Sequence, residues 1–415
     1  MYLVGNEEID ALAKVIREGT LFRYGIGQEC DRFESRYADY LNTQHVALTV
    51  SGTYALTAAM RALSVGPGDE VLVPAHTYMA TATSVLAVGA IPVVVDIDES
   101  LTISPTAIEA AVGPRTRAVI AVHMWGAACN MDAITELGKR HQLWVIEDAC
   151  QGVGGGYKGQ KLGAIGDIGA FSFNFYKNMT CGEGGAIATS DASLAGRARC
   201  AIDPCHYYWN GQDEGLDLFA GNGGRASELQ GAMLNVQLDR IDGIVSAMRK
   251  EREYILQATE GLRDMGLTPA LMHSPDFDCA AHLMFQLPTA ESAKRFAEIM
   301  PVVIASETGR HTYTKWEQVL QQKGAAHPAM NPYNHPANAD CRLETKPDQC
   351  ARSLKILDRM IMVPMSPLRD EAETAAIARD ITHTARAVLG NTSKKTVKLE
   401  ASSAIDTQKF DIQGS

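Results

Sequence analysis

The chain has 415 residues, 46% hydrophobic and 21% charged, a balance that excludes fibrous and disordered classes and supplies enough apolar material for two domains with full cores. It carries 38 Lys and Arg against 49 Asp and Glu, a net charge of -11, and no basic stripe, so neither nucleic acid nor an anionic membrane is expected as its main partner. The nine cysteines are an odd number without a CxxC pair; they are expected to be reduced thiols of a cytoplasmic protein, and Cys200, Cys205 and His206 match no zinc spacing, so no metal is expected.

No charged start followed by an apolar leader stands near Met1. The most apolar run, Val85 to Val95, is broken by Gly89 and Pro92 and is too short to span a bilayer. Glu7 to Glu18 places Ile9, Leu12, Ala13, Val15 and Ile16 on a helical stripe that stops at Gly19. The aromatic loop Leu21-Phe22-Arg23-Tyr24-Gly25 suits either an active site or a partner subunit. From Val46 the chain alternates: strand Val46 to Val50, helix Thr53 to Leu63, strand Glu70 to Val73, helix Thr77 to Val88, strand Ile91 to Val95, a helix capped by Ser104-Pro105, strand Ala118 to Val122, helix Met131 to His141 and strand Leu143 to Glu147. Continuous apolar strands separated by helices predict a mostly parallel sheet covered on both faces, with ligands at the carboxyl ends of its strands.

The residues at those ends carry the chemistry. Val50-Ser51-Gly52-Thr53 opens directly into a helix, which makes it either an anion cradle or a plain N-cap. Pro74-Ala75-His76-Thr77-Tyr78 offers the Tyr78 ring to a planar ligand or to the core. His123, at another strand mouth, suits a ligand or a backbone bond. In Val145-Ile146-Glu147-Asp148-Ala149-Cys150-Gln151 neighbouring acids face opposite ways, and Asp148 is the better placed to meet a cationic donor in a pocket. Between the apolar runs Ala170 to Phe173 and Gly185 to Ala188, a loop of small residues carries Lys177. Desolvation there favours the neutral amine that attacks an aldehyde or ketone.

In that order along one alternating sheet, lysine, carboxylate, ring and anion cradle describe pyridoxal 5'-phosphate. The segments VSGTYAL, VPAHTYMATA, IEDACQ, GDIGAFSFNFYKNMTCGEGGA and ELQGAMLNVQL resemble the DegT or StrS family of nucleotide-sugar and aminocyclitol aminotransferases, with similarity from about Gly5 to Leu389. The resemblance implies Lys177 as the Schiff-base lysine, Asp148 as partner of the pyridinium, Gln151 near the ring hydroxyl, Tyr78 as the stacking ring, and Gly52, Thr53 and Ser172 around the phosphate. Where the family reads G-x-N-x-R this chain has Gly221-Asn222-Gly223-Gly224-Arg225, so Asn222 stands one place from the asparagine that reaches the neighbouring subunit's phosphate. Arg225 is a candidate for a substrate carboxylate or for a surface ion pair.

The resemblance further implies an α/β fold of the aspartate aminotransferase type. That means a seven-stranded, mainly parallel sheet in a large domain (1–245), a smaller C-terminal α/β domain (246–390), and shared active sites in a homodimer. The boundary is expected on a helical stretch from Ala226 to Leu262. Beyond it Leu283 to Leu287 and Val302 to Ala305 read as strands, and Ala293 to Met300 and Ala372 to Leu389 as helices; 391–415 reads as a polar, mobile tail. The polar, aromatic segment Arg310 to Trp316, with His311, Tyr313 and Lys315, suits a sugar pocket or a loop packed on its own domain. The expected reaction moves an amino group from glutamate or glutamine to a keto or aldehyde sugar, among them a cyclitol or an octulosonate of lipopolysaccharide. Lys177 is its general acid and base. A dehydratase of the same fold is the enzymatic alternative, although its lysine is replaced by histidine; a non-catalytic pyridoxal-binding regulator would need a DNA-reading module, and no basic helix-turn-helix is found.

Overall fold

A computed structural model of the chain describes residues 3–210 and 218–390, so the expected mobile tail lies outside the described residues. Seven strands form the large sheet: β1 (His45–Thr49), β2 (Glu70–Pro74), β3 (Ile91–Val95), β4 (Thr116–Val122), β5 (Trp144–Asp148), β6 (Ile168–Ser172) and β7 (Gly185–Thr189), in the order β1-β7-β6-β5-β4-β2-β3. Only β7 is reversed: it pairs antiparallel with β1 and β6, and the other four pairings are parallel. Successive residues feed opposite cores. Val119 and Ala121 join Phe33, Tyr37 and Ile134 on one face, while Ala118 and Ile120 join Leu56, Met60 and Val85 on the other. Pro92 is accommodated because β3 is an edge strand.

The second sheet is antiparallel, in the order β8 (Thr268–Pro269), β9 (His282–Gln286), β11 (Met360–Pro364), β10 (Val303–Ile304). Helices Ala290–Ile299 and Glu371–Leu389 pack together beside it. The stretch Ala226 to Leu262 is two helices, Glu228–Leu238 and Ile241–Thr259. They part at Asp239 and Arg240, where the Arg240 guanidinium is drawn to the Leu3 carbonyl (2.6 Å) and the Glu8 carboxylate (2.7 Å). The large sheet is complete before Ile241–Thr259 and the second sheet begins after it.

The helix expected from Thr77 runs from Ala80 to Ala87. Its first residues are spent elsewhere: the Thr77 N–H donates to the His311 carbonyl (2.9 Å), the Met79 N–H to the Arg310 carbonyl (3.1 Å), and the Tyr313 N–H to the Ala75 carbonyl (3.0 Å). Helix Glu29–Leu41, with Cys30, Phe33, Tyr37 and Leu41 buried at helical spacing, lies outside the elements expected from the sequence.

Gly169 on β6 touches Gly163, whose backbone is left-handed (φ 87°) and abuts the Phe171 ring. A methyl at Gly169 would overlap the Gly163 carbonyl, so Gly169→Ala should lower stability by about 1–3 kcal/mol. Gly243, helical with open space beside it, should instead gain about 0.5–1 kcal/mol as Gly243→Ala. Urea unfolding midpoints check both.

Candidate active site

Strand β5 ends on two acids that pleating turns to opposite faces. The fully buried Glu147 carboxylate accepts the N–H groups of Gly163 (2.8 Å), Ile165 (2.6 Å) and Gly166 (2.6 Å), and meets His123 Nε2 at 3.0 Å. His123 Nδ1 accepts the Cys129 N–H at 3.2 Å. His123 thus meets Glu147 through Nε2; burial lowers the basicity of its ring, but Cys129 and Glu147 outweigh that and raise it to about 10. Burial by itself would raise the Glu147 carboxyl; hydrogen bonds from His123, Gly166 and Gly163 bring it below its ordinary range. His123 is thereby a buried partner of Glu147, which excludes it from ligand contact.

Asp148, 5% exposed, faces the other way. It accepts the Thr81 hydroxyl at 2.8 Å and the Cys150 N–H at 3.2 Å, and Thr81 shares a further hydrogen bond with the Thr77 hydroxyl at 2.8 Å. These donors to Asp148 are neutral, so the buried charge still favours a cationic nitrogen beside it. Lys177, half-buried, sits in the loop from β6 to β7, which is closed by the Phe175 N–H on the Gly182 carbonyl (2.9 Å) and the Phe173 N–H on the Gly184 carbonyl (2.8 Å). Burial pushes its amine below the ordinary range, opposed by Cys150 and Asp148.

Helix Gly52–Ala62 starts at the same place. Ser51 caps it by accepting the Tyr54 N–H (3.2 Å), and a Cβ on Gly52 would come within 2.7 Å of Ser172 Cβ and 2.8 Å of Cys150 Sγ. Only glycine lets the helix start, the end of β6 and the turn after β5 meet this closely. The first-turn amides of Gly52 and Thr53 have no acceptor within the helix, which suits an anion. Tyr78 is 38% exposed, its ring 5.7 Å from the His311 ring and 5.8 Å from the Arg310 guanidinium. Gln151 Oε1 accepts the Trp125 N–H at 3.2 Å, which leaves its NH2 as the donor for a ring oxygen. This constellation of amine, buried carboxylate, exposed ring and anion cradle fits an aromatic aldehyde bearing a ring nitrogen and a phosphate.

Four candidates lie elsewhere. Tyr313 is fully buried with its hydroxyl on the Pro347 carbonyl (2.6 Å), and Trp316 is buried with Nε1 on the Arg310 carbonyl (2.9 Å); of the two alternatives for this segment, these rings follow the packed loop, which removes Tyr313 from the substrate set. Lys315 is exposed on the adjoining turn. Arg225 pairs with Asp203 at 3.3 Å. Asn222 accepts from Arg61, at the far end of the helix from Gly52. Thr81, Cys150 and Trp125 enter the site without having been expected. Thr81 was within reach of helical spacing, one turn beyond Tyr78.

Exchanging Glu147→Gln turns an amide NH2 against an N–H donor and should cost about 1–3 kcal/mol at neutral pH. Since the folded-state pKa is lowered, the stability from the carboxylate is present above the ordinary range, about pH 4.3, and is lost as the pH falls through the lowered value. The gap between wild type and variant should therefore stay constant near neutrality and narrow below about pH 4, as read from urea midpoints at each pH.

The chain is 40% identical over 278 residues to a dTDP-3-amino-3,4,6-trideoxy-alpha-D-glucose transaminase of Streptomyces venezuelae, covering 66% of this chain and 70% of that one. It is 35% identical over 290 residues to an L-glutamine:2-deoxy-scyllo-inosose aminotransferase of Streptoalloteichus tenebrarius, covering 66% and 68%. Two further relatives are matched over only 60% and 50% of their own lengths. The crystal structure of an aminotransferase from Psychrobacter cryohalolentis superposes with a TM-score of 0.77 at 25% identity, covering 94% of this chain and 99% of that one. The DegT/DnrJ/EryC1/StrS aminotransferase profile matches residues 3–382, and the chain accordingly belongs to that family of pyridoxal phosphate-dependent transaminases.

Proposed function

We propose that this transaminase moves an amino group from glutamate or glutamine to the carbonyl carbon of a sugar or cyclitol, with Lys177 and Asp148 as its catalytic residues. The observation that carries the reading is a buried Asp148 satisfied by neutral donors, close enough to Lys177 to act on its charge. Bound pyridoxal phosphate supplies an aldehyde that captures amines and a ring that takes up electrons. Gly52, Thr53 and Ser172 would hold its phosphate, Asp148 its ring nitrogen and Gln151 its ring oxygen, with Tyr78 against the ring.

The chain's own part is proton handling and orientation. Lys177 Nζ, whose amine burial holds below its ordinary range, takes a proton from the carbon bearing the donor's amino group and returns one from the same side. The Thr81 hydroxyl fixes the rotamer of Asp148. The Trp125 N–H fixes Gln151. In the reverse direction Lys177 delivers the proton to the former carbonyl carbon of the acceptor.

An octulosonate acceptor would bring a carboxylate, and Arg310 stands beside Tyr78. The exposed Phe22, Ile26, Tyr208 and Trp209 suit a second copy of the chain, and a homodimer would also give Asn222 a neighbouring cradle to reach.

Borohydride treatment of the loaded protein followed by peptide mass analysis should place the cofactor on Lys177. A label on another residue would sink the reading. Lys177→Ala should lose the label and turnover, whereas Asp148→Asn should keep the label and slow the half-reaction with glutamate by about 100-fold or more.

A further inference from the structure

Between Tyr78 and Gln151 lies a group of aromatic and imidazole rings that none of the roles above uses. Trp125 is its centre: its ring stands 4.6 Å from His76, 5.8 Å from His311 and 5.9 Å from His282, and His311 in turn stands 5.7 Å from Tyr78. Trp125 is held with a left-handed backbone (φ 51°) followed by Gly126 at φ 90°. Such strain in a bulky residue persists only where surrounding contacts over-determine it, and it clusters at functional sites.

Hydrogen bonds settle what these rings can offer. His76, fully buried, points Nδ1 at the His311 carbonyl at 3.0 Å, so Nδ1 carries the proton and pins the His311 backbone. His311, half-buried, points its own Nδ1 at the Thr308 carbonyl at 3.1 Å. A carbonyl accepts only, so Nδ1 again holds the proton and Nε2 is a bare lone pair. Burial foremost, then the charges of Lys177 and Arg310, hold His311 down at about 4, so it stays neutral in ordinary buffers. His282, held down to about 4 chiefly by burial, is likewise neutral.

We infer that His311 is a specificity-determining residue whose Nε2 accepts a hydroxyl next to the acceptor's carbonyl, with Trp125 as the apolar floor of the subsite and His76 as its positioning residue. The inference rests on the carbonyl-sugar reading and refines it: the acceptor is a cyclic polyhydroxy ketone with a hydroxyl beside the ketone. An amino acid donor lacks that hydroxyl and does not engage His311.

The test separates the two half-reactions of the cofactor-loaded protein by absorbance. The pyridoxamine form is offered scyllo-inosose or the corresponding hydroxylated cyclohexanone that lacks both hydroxyls beside the ketone. His311→Phe keeps the ring contacts and removes the acceptor. It should lower kcat/KM for scyllo-inosose by about 3- to 10-fold, leave the doubly deoxygenated ketone and the glutamate half-reaction unchanged, and be partly rescued by His311→Gln, whose amide oxygen reaches the same point. Equal losses with both ketones, no loss with either, or a parallel loss in the glutamate half-reaction would overturn the assignment. Rejection of both cyclitols by a wild-type protein that still aminates a nucleotide-linked keto sugar would overturn it too, with the transaminase reading intact. A dead glutamate half-reaction would instead remove that reading.

Discussion

A carboxylate taken out of water must find N–H or O–H donors, and strand β5 ends on two of them in succession. Much of the large domain is arranged around satisfying both. Glu147 gathers three backbone amides from the loop 163–166 and an imidazole N–H from His123, which fixes where β6 begins. Asp148 receives the Thr81 hydroxyl and the Cys150 amide, with the Cys150 thiol also against it. The contrast separates structure from chemistry: Glu147 is held by three backbone amides and an imidazole, whereas the donors to Asp148 are all neutral and leave room for a cationic guest. Because they share one strand, the scaffold that satisfies the first also aims the second.

The other constraint is the short pairing of residues 75–79 with 310–313. It shortens the helix that follows Tyr78, places the His311 ring and Arg310 guanidinium beside the Tyr78 ring, and is anchored from behind by Tyr313 and Trp316. The surroundings of Tyr78 are thus built from both halves of the sequence.

The seven strands were legible because each is a short apolar run bounded by turn residues, and buried parallel strands need no alternation to be seen. Gly52, Tyr78 and Asp148 were legible from their positions at strand ends and Lys177 from its loop between two apolar runs, whereas Ser172 came only with the family resemblance. Helix Glu29–Leu41 was not, because its charged residues outnumber the five apolar positions that face the core. The segment from Arg310 to Trp316 looked like a pocket lining because it is polar and aromatic. Composition does not show that Tyr313 and Trp316 turn inward while Arg310 and His311 stay near Tyr78; that division follows from backbone pairing with a strand end more than 230 residues earlier. For the same reason Trp125 and His76 carried no signal: their importance lies in what long-range contacts force on them, an unusual backbone angle and a fixed tautomer.

That distance in sequence also orders events during synthesis. β1 waits for β7, some 140 residues later, before it gains its only neighbour in the sheet, and the ring at Tyr78 has no lateral support until residue 313 has left the ribosome. A nascent chain can therefore hold Lys177, Asp148 and the helix start at Gly52 while still lacking the segment 310–313 that pairs beside Tyr78.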